Sequence, residues 1–374
     1  MKQRFGTELR PALRSQYALR IAVIPERYGT VMSPCASIRL HAFTERFAAD
    51  VRYLMPEEIA AFKPHAILWN RGAIEDADRI EQMAVLARRI GARLIYDIDD
   101  NLLTMDEHPE RDAYAKLISA VRASIDVADE VWCSTEILAS EIRSAGGNAV
   151  FMPNALDPDL WGAPRTPVQP MPKLKLVYMG TRTHDEDYAF LQRVLGRLQA
   201  SRPGSFSLTL IGVNAASVAL PDWVDVQSPP AHVGASYPAF VRWFVGQGPF
   251  DLGLAPLMAT TFNRAKSGIK VLDYAAIGVP TLASDVPAYS AGAADDCLLV
   301  ENDEAAWLDV LQQVVDGQVE RGALFGLHRK AGAAFDALRR GFAQGGVERH
   351  EVAGVTRLHQ LEVLAAVAQA AHDG

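Results

Sequence analysis

The stretch APRTPVQPMPK, from Ala163 to Lys173, constrains this chain more than any other. Its four prolines fix φ and remove backbone donors, so they fit neither a helix interior nor a central strand. On each side, short apolar runs alternate with amphipathic segments, the pattern of a parallel sheet with helices on both faces. The chain therefore reads as two α/β domains, residues 1–162 and 174–340, joined by a proline-rich linker over 163–173. A length of 374 residues, long for a single core, agrees. Residues 341–374 carry a helical pattern ending LHQLEVLAAVAQAA and could pack back on the first domain.

In the first half, RIAVIP, ADVRYLM, HAILWN, RLIYDID, EVWCS and AVFMPN are strand candidates. Helices are expected over about 38–48, within EDADRIEQMAVLARRIGA, and over 114–127 and 135–144. The second half repeats the scheme: KLVYMG, SLTLIG, FDLGLAPL, TLAS and CLLV as strands, with DEDYAFLQRVLGRLQ, YPAFVRWFV and EAAWLDVLQQVV as helices. The fold class expected is two doubly wound, Rossmann-like domains facing across a cleft, with ligands at the carboxyl ends of the strands.

Composition narrows the partners. A net charge of −8 argues against a general nucleic-acid binder. No apolar run reaches membrane-spanning length, and no signal-peptide core follows the start. The first twenty residues carry Lys2, Arg4, Arg10, Arg14 and Arg20 against Glu8; a frayed basic terminus accounts for them, though they would also suit an anionic membrane surface. Cys35, Cys133 and Cys297 form neither a metal spacing nor a disulfide framework, which fits a reduced, cytoplasmic chain. Oligomeric state leaves no trace in the sequence.

The chemistry gathers in FNRAKSGIKVLDYAAIGVPTLAS, from Phe262 to Ser284. Ser267 is placed to cap a helix running from Gly268 to Ile277, and Gly278 to end it in the left-handed region. Arg264, Lys266 and Lys270 then crowd the pole of the helix that is already positive, each at about 0.3–1 kcal/mol. A bound phosphate would reverse that sign, because backbone N–H groups and lysines would both point at it. A surface ion pair between Lys270 and Asp273 is the plainer account.

Two further stretches close strands. In MGTRTHDEDY, Gly180 permits a close turn, Thr183 and Glu186 fit a capping box, and Arg182 and His184 lie where they could reach an anion. In YDIDDN, Asp97, Asp99 and Asp100 stand at a strand's carboxyl end. They could hold a divalent metal, form the D-x-D signature of a Mg²⁺-dependent phosphatase of the haloacid dehalogenase type, orient an acceptor hydroxyl, or simply cap a loop. Asn101 stands where that phosphatase signature carries Thr or Val. Ser37, Arg39, Asn70, Arg71 and Asn154 sit in loops that follow other strands.

Taken together, FMPNALD, MGTRTHDED and KSGIKVLDYAAIGVPTLAS resemble the retaining GT-B glycosyltransferases, the group that includes glycogen-synthase-like and lipopolysaccharide sugar transferases. That resemblance implies a nucleotide-diphosphate sugar bound by the second domain and a glycan, lipid-linked or small-molecule acceptor bound by the first. It implies transfer with retention, without metal or other cofactor, in the cytoplasm or at the inner face of the cell membrane. Arg182 and Lys266 would hold the diphosphate, with the amides around Ser267 and Gly268, alongside Gly180, Thr181, His184 and Lys270. Asp273 takes the place of the second Glu of the E-x7-E motif, on the ribose, while Ala265 stands where the first Glu belongs. Asp99 or Asp100 would orient the acceptor. The missing Glu also leaves room for a degenerate chain that only binds nucleotide or glycan.

Overall fold

The computed structural model describes residues 19–41, 49–162, 173–180, 184–212, 220–234, 236–291 and 297–318. The proline-rich stretch up to 172, the basic lead-in up to Ala18, Thr181, Arg182, Thr183 and the helical pattern over 341–374 lie outside the described residues. The rest separates into two compact units. One holds the described residues to Asp99 together with Lys116–Met152; the other holds Asp100–Ala115 and the chain from Pro153 onward.

The first unit is built on six parallel strands: β1 (Arg20–Ile24), β2 (Asp50–Tyr53), β3 (Ala66–Asn70), β4 (Arg93–Ile98), β5 (Glu130–Cys133) and β6 (Ala149–Phe151). Their order is β2-β1-β3-β4-β5-β6. Strand β3 is buried throughout, as expected of a parallel strand covered on both faces. Helices α1 (Ala77–Ile90), α2 (Ile118–Val127) and α3 (Glu136–Ser144) are amphipathic. Asp76 and Thr135 cap α1 and α3 through their side chains, and Gly91 ends α1 at φ 69°.

The second unit has its own six parallel strands: β7 (Leu174–Met179), β8 (Phe206–Ile211), β9 (Val224–Gln227), β10 (Leu252–Ala255), β11 (Thr281–Ser284) and β12 (Leu298–Val300). Their order, β9-β8-β7-β10-β11-β12, is that of a dinucleotide-binding Rossmann sheet. Helices α4 (Asp185–Ser201) and α7 (Glu304–Val315) share one apolar cluster, in which Leu191, Val194, Trp307 and Leu311 meet Leu208 and Leu254. On the other face, α5 (Tyr237–Val245) and α6 (Ile269–Ala276) bring Val241, Phe244, Val271 and Tyr274 onto Val177 and Ala255. Burying each such large side chain contributes about 1.5–3 kcal/mol.

Tyr274 fastens α6 to the sheet where the strand order reverses. Its hydroxyl accepts from the Met179 amide at 2.8 Å and donates toward the Leu254 carbonyl at 3.3 Å. The ring lies against Gly253 of β10, where an added Cβ would meet ring carbon at 2.6 Å. Only glycine leaves room for that approach.

Several local expectations differ from what is observed. Strand β9 was not expected. The helix expected over 114–127 is two pieces, Arg111–Ala115 and α2, because Leu117 turns inward beside Gly72. Of the helix expected over about 38–48, residues 42–48 lie outside the described residues; the described part begins earlier, at Pro34, and runs into a π-helix, Ser37–His41, that carries Arg39 into the core. The contact boundary falls at Met152–Pro153, ahead of residue 162, because Trp161 already packs into the second unit's core.

Gly253→Ala should cost about 1–3 kcal/mol, since neither the fully buried Tyr274 ring nor the strand backbone can give way freely. Urea unfolding measures this; an unchanged midpoint would mean that the ring has space to move.

Candidate functional site

Loops leaving adjacent strands toward opposite faces open a crevice at a sheet's carboxyl edge. In the second unit this point lies between β7 and β10. After β7 come Gly180 and His184; after β10 come Leu257 and Met258, then a short helical turn, Thr261–Arg264, and the residues Lys266–Gly268 that enter α6.

Asp187, in the first turn of α4, ties these loops together. It accepts from the Met258 amide at 2.6 Å through Oδ1, and its Oδ2 lies 2.7 Å from His184 Nδ1. With Nδ1–H donating, the neutral ring keeps Nε2 as an acceptor. The neighbouring Lys270 charge, with burial added, pushes the His184 pKa down to about 4 against the pull of Asp187. The imidazole is therefore neutral at pH 7.

Lys270 is buried, and its Nζ has no hydrogen-bond partner among the described residues. It lies 5.0 Å from the centre of the Tyr178 ring. Burial brings its pKa down to about 8, opposed by Asp187. Asp273 is also buried, with Oδ1 unpartnered among the described residues, and burial raises its pKa to about 8 against Lys270. The expected surface ion pair between the two is not what forms: both groups are inside, and at pH 7 Asp273 is largely the neutral acid. The positive charge of Lys270 is left available to an anion.

Lys266 is half-buried, with Nζ 5.0 Å from the Phe262 ring centre. The turn beneath it is held from a distance in sequence. His108 meets Phe262 edge to face at 4.5 Å, and Glu107 Oε2 accepts from the Thr261 amide at 3.1 Å. Ser267 does not cap α6. The cap position is Gly268, and the Ser267 hydroxyl instead accepts from Asn154 Nδ2 at 2.7 Å. Gly180 is buried beside the Tyr178 ring, where a Cβ would lie 3.0 Å from the hydroxyl oxygen.

In the first unit, the order reverses between β1 and β3. Asp97 lies at the end of β4 but is fully buried, with both carboxylate oxygens taken by Arg39: Nε at 3.1 Å and Nη2 at 2.7 Å. Burial works against the Arg39 charge, but the Asp97 carboxylate outweighs it and holds the guanidinium above its usual pKa. Arg39 also donates to the Met152 carbonyl. So engaged, Asp97 is unsuited to act as a phosphatase nucleophile, and the YDIDDN run is a structural ion pair followed by a partly exposed Asp99. Asp99 accepts from Arg71 Nη1 at 2.7 Å. Arg71 holds a left-handed φ of 46°, uncommon for its type, and its backbone carbonyl accepts from Tyr96. Asp100 groups with the other unit. Among the described residues, no three His, Cys, Asp or Glu side chains converge as metal ligands, and no helix is long and apolar enough to cross a membrane.

Asp187, Glu107, His108 and Glu26 were not singled out from the sequence. Only Asp187 left a signal, an acid in a helix's first turn directly preceding the buried residues Tyr188, Phe190 and Leu191.

No protein-family model and no curated protein sequence matches the chain. Solved structures do. HepE of Anabaena, in complex with UDP and glucose, superposes with a TM-score of 0.61 at 11% identity, over 93% of this chain and 100% of that one. Sucrose-phosphate synthase of Thermosynechococcus elongatus gives 0.55 at 13% identity, over 84% and 76%. The α,α-trehalose 6-phosphate synthase of Burkholderia multivorans gives 0.55 at 13%, over 90% and 77%. The likeness is one of fold: two Rossmann-like domains, as in GT-B glycosyltransferases.

Holding His184 neutral has a consequence for pH. Between about 4 and 6.5 the unfolded chain binds a proton that the folded chain refuses, so stability rises with pH through that window and is lost on acidification. The fall should be about 3 kcal/mol. His184→Gln should flatten it in urea titrations run across the window; an equal fall in both proteins would assign the acid sensitivity elsewhere.

Proposed function

We propose that this chain is a glycosyltransferase that moves a sugar from a nucleotide-diphosphate sugar to a glycan, lipid-linked or small-molecule acceptor. The observation that carries this reading is the buried Lys270 ammonium, without a hydrogen-bond partner among the described residues, at the switch point of a Rossmann sheet, beside a neutral histidine and an un-ionised acid. A site so arranged suits a pyrophosphate, whose charge the two lysines and the amides entering α6 would meet. The UDP and glucose in the complex of HepE give the fold a precedent for such a ligand.

Each group then has a role. Negative charge develops on the departing diphosphate, and Lys266, Lys270 and Arg182 (outside the described residues) stabilise it where water is scarce. Asp273, as the neutral acid, can both donate to and accept from ribose hydroxyls. His184 Nε2 is an acceptor for a donor-sugar hydroxyl. The acceptor attacks from the face that the leaving group vacates, a phosphate oxygen takes its proton, and configuration is retained. Cationic side chains fill the place of a metal, and the reaction belongs in the cytoplasm or at the inner face of the membrane.

Lys266→Ala and Arg182→Ala should each weaken UDP binding about tenfold or more, whereas Lys173→Ala should change it less than about twofold. Equal effects by calorimetry would reduce the lysines to a solvated loop. Affinity should also fall as pH rises through about 8, because UDP binds the protonated Lys270. Activity toward a panel of UDP-, GDP-, ADP- and dTDP-sugars should survive EDTA; loss restored by Mg²⁺ would overturn the metal-free mechanism.

A further inference from the structure

The switch point of the first unit carries a second set of polar groups that the donor chemistry does not use. Glu26 follows β1, Asn70 ends β3, Arg71 comes next, and Asp99 follows β4. All four therefore stand at the carboxyl edge, around the reversal between β1 and β3. Asn70 Oδ1 accepts from the Glu26 amide at 2.8 Å, which fixes the direction of its NH2 group. Arg71 spans two carboxylates, with Nη1 at 2.7 Å from Asp99 Oδ1 and Nε at 3.5 Å from Glu26 Oε1. On Glu26 and Asn70, two atoms are left over. Glu26 Oε2, a pure acceptor, and Asn70 Nδ2, a pure donor, are both buried and without a hydrogen-bond partner among the described residues. Glu26 and Asn70 are 6% and 0% exposed, so bulk solvent does not satisfy these atoms.

An unmet acceptor and an unmet donor on residues joined by a hydrogen bond suit a hydroxyl, which donates to one and accepts from the other. The charge count chooses among hydroxyl compounds. Glu26, Asp97 and Asp99 bring three carboxylates against the guanidiniums of Arg39 and Arg71, leaving one negative charge in excess. A phosphate or carboxylate would meet repulsion here. We infer that Glu26, Asn70, Arg71 and Asp99 form the acceptor site, and that it reads uncharged sugar hydroxyls and rejects phosphorylated or carboxylated acceptors. The inference rests on the glycosyltransferase reading for the word acceptor; the binding it describes does not.

Saturation-transfer NMR on the full chain, saturated with UDP, tests it with methyl glycosides of glucose, galactose, mannose and N-acetylglucosamine. Glucose 6-phosphate, galactose 6-phosphate, mannose 6-phosphate, glucuronate and galacturonate serve as charged counterparts. At least one neutral glycoside should bind with UDP in place, and its charged counterpart should bind about tenfold more weakly or not at all. In Glu26→Gln that glycoside's affinity should fall about tenfold more than the affinity for UDP does. Should Glu26→Gln fail to fold, Asp99→Asn, at a partly exposed position, gives the same comparison. Charged sugars binding as well as neutral ones, or glycoside binding unmoved in the variant, would overturn the inference. Absence of UDP binding in the unaltered chain would instead count against the donor-site reading, and the glycoside comparison is then read in the protein without UDP.

Discussion

A parallel sheet leaves its peptide groups paired and its interior apolar, so a polar ligand can be met only at its edge. The reversal of strand order decides where on that edge. Loops from β7 and β10 depart to opposite faces, and the gap between them cannot be filled by either. Tyr274 holds that gap in register: its hydroxyl touches the backbone of both strands, and its ring fills the space a side chain on Gly253 would need. The helix that carries Lys270 and Asp273 is therefore anchored by the residue that follows them.

Electrostatics at the second unit's edge follow from this anchoring. A buried ammonium would ordinarily recruit a carboxylate, and Asp187 and Asp273 are both near enough to act on it. Yet Asp187 is occupied by the Met258 amide and by His184, and Asp273 is held largely protonated by its burial. The ammonium therefore feels the Asp187 charge but has no hydrogen-bond partner among the described residues. Burial penalises a lone charge, and a ligand that supplies the opposite one removes the penalty while gaining a charge-assisted bond. Such a site holds its strength in reserve for an anion.

The alternation of strands and helices was legible because parallel strands buried on both faces read as short apolar runs, and because Asp76, Thr135 and Gly91 mark helix ends locally. The basic residues at the start of α6 were legible for the same reason: a cation at that pole is locally unfavourable. What escaped depends on long-range pairing. Arg39 and Asp97 are 58 residues apart, and Ser267 serves Asn154 across 113. Neither partnership leaves a mark in its own neighbourhood, so Asp97 looked as accessible as Asp99, and Ser267 looked like a cap. Glu26 and Asn70 meet only because β1 and β3 are neighbours, and strand order is not written in any single segment. Asp187 was one of three successive acids that suit a helix start equally well until burial separates them.

The two switch points differ in chemistry more than in architecture. Each sits at the carboxyl edge of six parallel strands, and each leaves polar atoms buried and unpartnered among the described residues. At one, the leftover groups include an ammonium; at the other, a carboxylate oxygen and an amide NH2. Strand geometry cannot account for that difference, since it treats both edges alike. The side chains account for it: lysines enter α6, while carboxylates and arginines in near balance follow β1, β3 and β4. One sheet architecture can thus carry an edge whose side chains suit an anion and another whose side chains suit an uncharged hydroxyl compound.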